Sequence, residues 1–238
     1  MSVHLLGGGR DIARCGDLLR SFVGEARAAA GERAPTIAVL LVLEADDDAS
    51  AARFRGVVEA AGAAPEEVRI EAIVEGETFA SPVIDADAVF VGGGLTPAYL
   101  ESFSGIRDAV RTRVTRGMPY AGFSAGSAIA AERAVVGGYR IGEVDVVSED
   151  AAEELDEVEV RYGLGLVPFA VDVHAAQWGT LSRLVAAADA GLVGEGVAID
   201  EHTALVLSSD GTSTVHGAGQ VWRVEAAASG VGVTVRRS

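Results

Sequence analysis

A serine between two glycines is the sharpest chemical signal in the sequence, in the segment Gly122-Phe123-Ser124-Ala125-Gly126. It lies between a strand-like segment and a helical one, which is the setting of a nucleophile elbow. There the serine protrudes from a strained turn, and the flanking positions pack so closely that only hydrogen side chains fit. The N–H groups of the following helix face developing negative charge. The pattern predicts that Ser124 is the nucleophile of a hydrolytic enzyme; the alternative is a glycine-rich connection with a capping serine.

A serine hydroxyl needs a base, because it is a weak nucleophile at its free pKa. The sequence has four histidines. His4 lies in the first strand-like segment and fits a structural role, while His202 and His216 lie among the late strands. His174 follows a short apolar segment and precedes a helical one, so we expect it at the carboxyl end of a strand. This position favours His174 over His202 as the base, with a structural histidine as the alternative.

A second glycine run, Gly92-Gly93-Gly94, ends an apolar segment. At the carboxyl edge of a parallel sheet its N–H groups could donate to an oxyanion or to a phosphate, and the alternative is a plain turn. The run lacks the Lys-Ser/Thr ending of a P-loop, and the glycines at 7–9 lack the dinucleotide fingerprint. Nucleotide binding is therefore disfavoured, and we expect no cofactor.

The composition is typical of an α/β protein with a large buried core, since 49% of the 238 residues are hydrophobic and 23% are charged. We expect one domain over residues 1–238. The net charge is −16 without a basic run, which disfavours nucleic acid and anionic membrane surfaces as partners. The lone Cys15 excludes an intramolecular disulfide and a multi-cysteine zinc site, and no metal is expected. No signal-like or membrane-spanning stretch is visible, so we expect a cytoplasmic protein.

Strands and helices alternate in the first half of the sequence, which predicts a mostly parallel sheet. Strand-like segments occupy 3–6, 36–43, 68–74, 88–91 and 119–123, and helical patterns occupy 11–30, 46–63, 97–115 (interrupted near 104–105) and 124–133. A hairpin or long loop at 135–148 and an acidic run at 149–159 follow. Further segments are a strand at 170–173, a helix at 177–190, and a meander of strands at 197–199, 204–207, 214–215 and 221–224. We expect the meander to extend the sheet or to cap its edge.

Three segments resemble the serine peptidase family of dipeptidase E and cyanophycinase: FVGGG with its following helix, GFSAGSAIA, and GLGLVPFAVDVH with Arg183-Leu184 beyond. VAIDEHTALV at 197–206 resembles the cyanophycinase branch, and the similarity runs in order from the first strand to about residue 207. The resemblance implies a three-layer flavodoxin-like α/β sandwich, related to class I glutamine amidotransferases, with a C-terminal β meander. It also implies hydrolysis of aspartyl or β-aspartyl peptide bonds.

The same resemblance implies the roles of individual residues. Ser124 would be the nucleophile and His174 the general base, and the oxyanion donors would be the N–H groups of Ala125 and of Gly93 or Gly94. The family's acid lies between serine and histidine in the chain.

Counting back from GLGL places that acid at Glu149 or Asp150, with Glu143 a weaker candidate. Its role would be to orient the imidazole and to stabilise the charged ring. The alternative is that the acidic run is a solvated face.

The segment after the histidine departs from the cyanophycinase branch, which carries arginines there that bind the substrate carboxylate. Gln177 and Arg183 are retained, whereas Trp178 and Thr180 replace the two nearer arginines. Gln177, Trp178 and Arg183 are therefore the candidate substrate-binding residues, although Trp178 would equally fit the core.

The sequence thus predicts a serine hydrolase that cleaves a small peptide or amide, with its aspartyl preference weakened by the missing arginines. The alternatives are a non-catalytic ligand-binding relative and an esterase. The oligomeric state stays open, with a homodimer as one alternative.

Overall fold

A computed structural model of the chain describes residues 2–44 and 48–238. Its first strands are β1 (Ser2–Leu6), β2 (Ile37–Leu43), β3 (Val68–Val74), β4 (Ala88–Val91), β5 (Tyr120–Phe123), β6 (Arg133–Gly137), β7 (Arg140–Ile141) and β8 (Val144–Asp145). The later strands are β9 (Glu159–Tyr162), β10 (Ala170–Val173), β11 (Glu195–Ile199), β12 (Thr203–Ser208), β13 (Ser213–Gly217), β14 (Gln220–Ala227) and β15 (Gly230–Arg237). The α-helices are α1 (Ile12–Ala30), α2 (Asp48–Ala60), α3 (Thr96–Ser102), α4 (Arg107–Thr115), α5 (Ala125–Ala128), α6 (Ala175–Trp178) and α7 (Thr180–Asp189).

The central sheet has the strand order β13-β12-β1-β5-β4-β2-β3. The five strands from β1 to β3 in this order run parallel, and β12 and β13 add antiparallel strands at the β1 edge. This confirms the α/β class with a mostly parallel sheet. It also brings the ends of β1, β4 and β5 together at one edge, where the two glycine runs and Ser124 follow these strands.

Helices cover both faces of this sheet and give the three layers. On one face α1 and α2 pack through a cluster that includes Leu19, Phe22 and Phe54. Asp11 caps α1 by accepting a hydrogen bond from Arg14 N at 3.0 Å, so the helix starts where the sequence pattern places it. The other face carries a cluster that includes Tyr99 and residues of α3, α4 and α5.

A second sheet, with the order β10-β11-β14-β15, stands beside the central one. Its strands β10 and β11 are parallel, and Val173 lies opposite Ile199 at their carboxyl ends. Helix α7 covers the sheet through Leu184 and Ala187. The predicted meander is therefore divided between two sheets: β12 and β13 extend the central sheet, whereas β11 and β14 belong to the second one.

The structure differs from the predicted elements at several helix ends. The helix after Ser124 stops at Ala128, because Ala131 pairs with Val167 and directs the chain into β6. The predicted helix at 177–190 begins at residue 180, after the left-handed Gly179. The predicted helix 46–63 is observed as Asp48–Ala60, and residues 46–47 lie outside the described ranges. None of the described helices is long and apolar enough to cross a membrane.

Candidate active site

Ser124 occupies a sharp turn between β5 and α5. Its backbone angles, φ 51° and ψ −112°, are unfavourable for a residue with a side chain. The turn is held in place because Ser124 N donates a hydrogen bond to Leu6 O at 3.0 Å, and Ser127 N donates to Ser124 O at 2.8 Å. The neighbouring strand and the first helical turn thus impose a conformation that presents the Ser124 side chain at the edge of the sheet.

The two glycines of the G-x-S-x-G segment are required for packing. A Cβ atom on Gly122 would lie 2.4 Å from Gly126 O, and one on Gly126 would lie 2.4 Å from Val91 O. Both positions face backbone atoms, which cannot move aside as a flexible side chain can. The segment therefore has the steric character of a nucleophile elbow.

His174 lies beside the serine, with 2.8 Å between Ser124 Oγ and His174 Nε2. It follows β10 directly and caps α6 in the left-handed conformation, with φ 56° and ψ 35°. The backbone N–H of His174 donates to Gly7 O at 3.0 Å, which ties the end of β10 to the loop after β1. The two sheets therefore meet where the serine and the histidine face each other.

The carboxylate on the far side of the imidazole belongs to Glu201. Its Oε1 atom lies 2.8 Å from His174 Nδ1. Glu201 follows β11, the parallel neighbour of β10, so the carboxyl ends of these strands bring the two side chains together. The sequence placed this carboxylate at Glu149 or Asp150 instead. Both of these line the same pocket from a short turn across it, but the oxygen bonded to His174 is that of Glu201.

The environment keeps His174 largely neutral near neutral pH. The side chain is buried, and this burial lowers the pKa of His174 because a charged ring would lose hydration. The hydrogen bond and the charge of Glu201 oppose this effect. A neutral ring with Nδ1 facing a carboxylate carries its proton on Nδ1, which leaves Nε2 free to accept the proton of Ser124.

A pocket of about 900 Å³ opens over these residues. Gly93 and Gly94 form part of its wall, and a Cβ atom on Gly93 would lie 2.9 Å from Ser124 Cβ. The glycine run after β4 therefore approaches the serine as closely as a backbone can. Carboxylates dominate the remaining wall, at Glu44, Glu75, Glu149, Asp150, Glu153, Glu154, Asp156 and Glu201, whereas the cations are Arg10 and Arg53.

In the described ranges 2–44 and 48–238, no group of three or more His, Cys, Asp or Glu side chains is arranged to hold a metal ion.

The sequence profile of peptidase family S51 matches residues 35–215. The chain belongs to this family. It is thus a hydrolase of the serine peptidase type, and the matched region contains Ser124, His174 and Glu201.

Individual relatives agree with the family assignment. The S51 chain is 29% identical over 233 residues to a cyanophycinase of Nostoc sp., which covers 94% of this chain and 73% of that protein. It is 33% identical over 132 residues to peptidase E of Streptomyces coelicolor, which covers 55% of this chain and 47% of that protein.

Solved structures show the same fold. A peptidase from an acI-B1 Actinobacterium superposes with a TM-score of 0.71 at 17% identity, over 98% of this chain and 93% of that one. A putative peptidase E from Listeria monocytogenes superposes with a TM-score of 0.58 at 15% identity, over 92% of this chain and 98% of that one.

Two of the three predicted substrate contacts of this S51 peptidase have partners within the protein. Gln177 Oε1 accepts a hydrogen bond from Glu201 N at 2.8 Å, so this side chain holds the Glu201 turn. Arg183 is buried with only 4% of its surface exposed. It forms an ion pair with Asp172 at 2.7 Å, because α7 packs over β10. Trp178 does line the pocket, and it stacks on the ring of His174.

Sequence reasoning missed two contributors to the site. Glu201 lies in the quoted segment VAIDEHTALV, and a recognised parallel β10–β11 pair would have placed it next to His174. Gly8 was considered only as part of a glycine run that lacks the dinucleotide fingerprint. A Cβ atom on Gly8 would lie 2.2 Å from His174 Cε1, so this glycine allows the loop after β1 to touch the imidazole.

Proposed function

We propose that this S51 peptidase cleaves a peptide or amide bond of a small peptide through an acyl-enzyme formed on Ser124. Support for this comes from the continuous contact between Ser124 Oγ and His174 Nε2, and between His174 Nδ1 and Glu201 Oε1, each at 2.8 Å. In the first step His174 takes the proton of Ser124 while Oγ attacks the substrate carbonyl. The imidazolium then protonates the leaving amine, and water releases the acyl group by the same route.

Glu201 would hold Nδ1–H in place and stabilise the imidazolium that each step creates. The N–H groups of Ala125 and of Gly93 or Gly94 would donate hydrogen bonds to the carbonyl oxygen as it becomes negative. Two features support this assignment: Ala125 begins α5 directly after the serine, and the backbone of Gly93 packs against the serine side chain.

We propose that an aspartyl or β-aspartyl residue occupies the acyl side of the pocket, with Arg53 as the group that binds its carboxylate. The wall is mostly acidic, so an anionic substrate needs a local arginine. Arg53 lines the same pocket as Ser124 and donates to Gly9 O at 2.7 Å. Its Cζ atom lies 5.3 Å from the centroid of the Phe123 ring. These contacts hold its guanidinium beside the residue that precedes Ser124.

Active-site labelling tests the mechanism. A fluorophosphonate should modify Ser124 in the wild type, and Ser124→Ala should abolish the reaction. His174→Gln should slow the labelling at least about 100-fold, since it removes the general base. His202→Gln is the matched control, because His202 also has a left-handed backbone, with φ 55°, yet does not contact the serine. Absence of labelling in the folded wild type would instead support a non-catalytic relative.

Peptide hydrolysis tests the specificity. Aspartyl and β-aspartyl dipeptides should be cleaved faster than their asparaginyl and alanyl counterparts. Arg53→Met should raise KM for the aspartyl peptides about tenfold or more and leave the alanyl peptides unchanged. Arg55→Met, on the same helix but directed at Pro65 O and Val68 O, is the control. Equal cleavage of aspartyl and alanyl peptides would contradict the specificity and leave the mechanism intact.

A further inference from the structure

Trp178 makes a parallel stack with His174. The two rings are 3.9 Å apart between centroids, with 8° between their planes. The other ring pairs in the described part of the chain meet edge to face, with interplanar angles of 61° to 81°. The indole therefore covers one face of the imidazole that contacts Ser124.

The backbone builds this stack. His174 is the cap residue before α6 and Trp178 is the last residue of its single turn, and Trp178 N donates to His174 O at 2.8 Å. This backbone hydrogen bond folds the turn back so that the Trp178 ring lies against the His174 ring. The left-handed Gly179 then ends the turn, and α7 begins as a separate helix after it.

The remaining edges of the imidazole are also occupied. Nε2 faces Ser124, Nδ1 faces Glu201, and Cε1 packs against Gly8. The side chain of Trp178 is still 44% exposed, because it stands at the mouth of the pocket rather than in the core. Replacing it changes the surroundings of His174 without opening a buried cavity.

We propose that Trp178 is a positioning residue that stabilises the protonated form of His174 by cation–π stacking and thereby supports proton transfer from Ser124. This inference rests on the proposed role of His174 as the general base. The face of an indole attracts a cation, and the imidazole becomes a cation only after it has taken the serine proton. The attraction is thus stronger in the transition state than in the resting site, which is the condition for faster catalysis.

Several charged groups act on His174 besides Trp178. Burial lowers the pKa of His174, the hydrogen bond and charge of Glu201 raise it, the charge of Asp172 raises it, and the charge of Arg183 lowers it. Trp178 combines two opposing effects, since it keeps water away from the ring and also attracts the imidazolium. A leucine keeps most of the first effect and loses the second, so Trp178→Leu isolates the stacking contribution.

Fluorescence tests whether the stack exists in solution, and it requires no substrate. A protonated imidazole in contact with an indole quenches its emission. The protein has two tryptophans, and Trp222→Phe leaves Trp178 as the reporter. In that background the emission should fall as the pH is lowered through the titration midpoint of His174, measured from its Cε1 proton by NMR. His174→Gln should remove the transition. Emission that does not follow this midpoint would overturn the proposal.

The same NMR titration in Trp178→Leu and Trp178→Phe tests the energetic effect. The His174 midpoint should move to lower pH with leucine, and phenylalanine should restore part of the difference. The rate of Ser124 labelling above the midpoint should fall about two- to tenfold with leucine. Identical midpoints in the three proteins would overturn the proposal. If Ser124 is not labelled in any variant, the proposed function fails, while the midpoints still decide the role of Trp178.

Discussion

Glu201 Oε1 lies 2.8 Å from His174 Nδ1, although the two residues are 27 positions apart in the chain. The contact depends on the parallel pairing of β10 and β11, whose carboxyl ends adjoin each other. It is reinforced by Gln177, which accepts a hydrogen bond from the backbone N–H of Glu201. The orientation of the imidazole is therefore set by the second sheet, whereas the serine is carried by the central one.

Glu201→Gln should lower kcat/KM about 10²- to 10⁴-fold, with little change in KM. An amide can present its N–H group to Nδ1, which would place the imidazole proton on Nε2 and block acceptance of the serine proton. It also removes the charge that stabilises the imidazolium. Steady-state kinetics on a cleaved peptide, or the rate of fluorophosphonate labelling, measures the loss.

Glu149→Gln and Asp150→Asn are the matched controls, because both carboxylates line the pocket without bonding to His174. Neither should cost more than a small factor in kcat. A loss at Glu149 or Asp150 that equals the loss at Glu201 would contradict the assignment of the acid.

The rate of Ser124 labelling should fall as the pH is lowered through the pKa of His174. Protonation occupies Nε2, so the ring can no longer accept the serine proton. Burial lowers this pKa, hence the midpoint of the acid limb should lie below the ordinary histidine value of about 6.5. Labelling over a pH series in the range of native folding measures it. A midpoint above the ordinary value would contradict the expectation that burial has a larger effect on the pKa of His174 than Glu201 has.

Gly8→Ala should reduce activity about 100-fold, because the new methyl group would displace the imidazole from Ser124. Its Cβ atom would lie 2.2 Å from His174 Cε1. Gly8 also has φ +102°, so part of any loss of stability comes from backbone strain alone.

Gly62→Ala separates the two effects. Gly62 has φ +101°, and no atom lies within 4 Å of its Cβ position. Each variant should lose about 1–2 kcal/mol of unfolding free energy from the left-handed backbone, but only Gly8→Ala should lose activity. Urea denaturation and labelling rates give the two quantities. Normal labelling of Gly8→Ala would show that the glycine does not set the position of His174.

The central sheet was predictable because its strands are covered on both faces and appear as continuous apolar runs such as Ile37–Leu43. The second sheet was not predicted, because strand partners are long-range and leave no local pattern. Residues 170–173 and 197–199 each look like short buried strands, and nothing in either segment shows that they pair with each other. The contact between Glu201 and His174 was not foreseen for the same reason.

In the site, too, local features could be predicted from the sequence and long-range contacts could not. The sharp turn at Ser124 could be predicted, because it needs glycines at fixed neighbouring positions and such steric requirements leave a local sequence pattern. Arg183 could not be placed, since a substrate-binding arginine and a buried ion-paired one have the same sequence appearance. Its surroundings, Asp172 and the carbonyls of Gly138 and Ala151, come from three separate segments.

Breaking the Asp172–Arg183 pair should destabilise the part of the fold that carries His174. Both side chains are nearly inaccessible, with 2% and 4% exposed, and the guanidinium also donates to Ala151 O at 2.6 Å. Arg183→Met should cost about 3–5 kcal/mol of unfolding free energy, since it leaves a buried carboxylate unpaired. Asp172→Asn should cost less, because Arg183 keeps its carbonyl acceptors and the nearby charge of Glu153.

The double variant Asp172→Asn/Arg183→Met tests whether the two residues act as a pair. It should lose clearly less than the sum of the single losses, because no uncompensated charge remains between them. Urea denaturation of the four proteins gives the coupling energy. Asp172 lies two residues before His174, and Ala151 lies between the pocket residues Glu149 and Glu153. The single variants should therefore also lower kcat under conditions in which they are still folded. Additive losses in the double variant would mean that each residue is held by its other contacts instead.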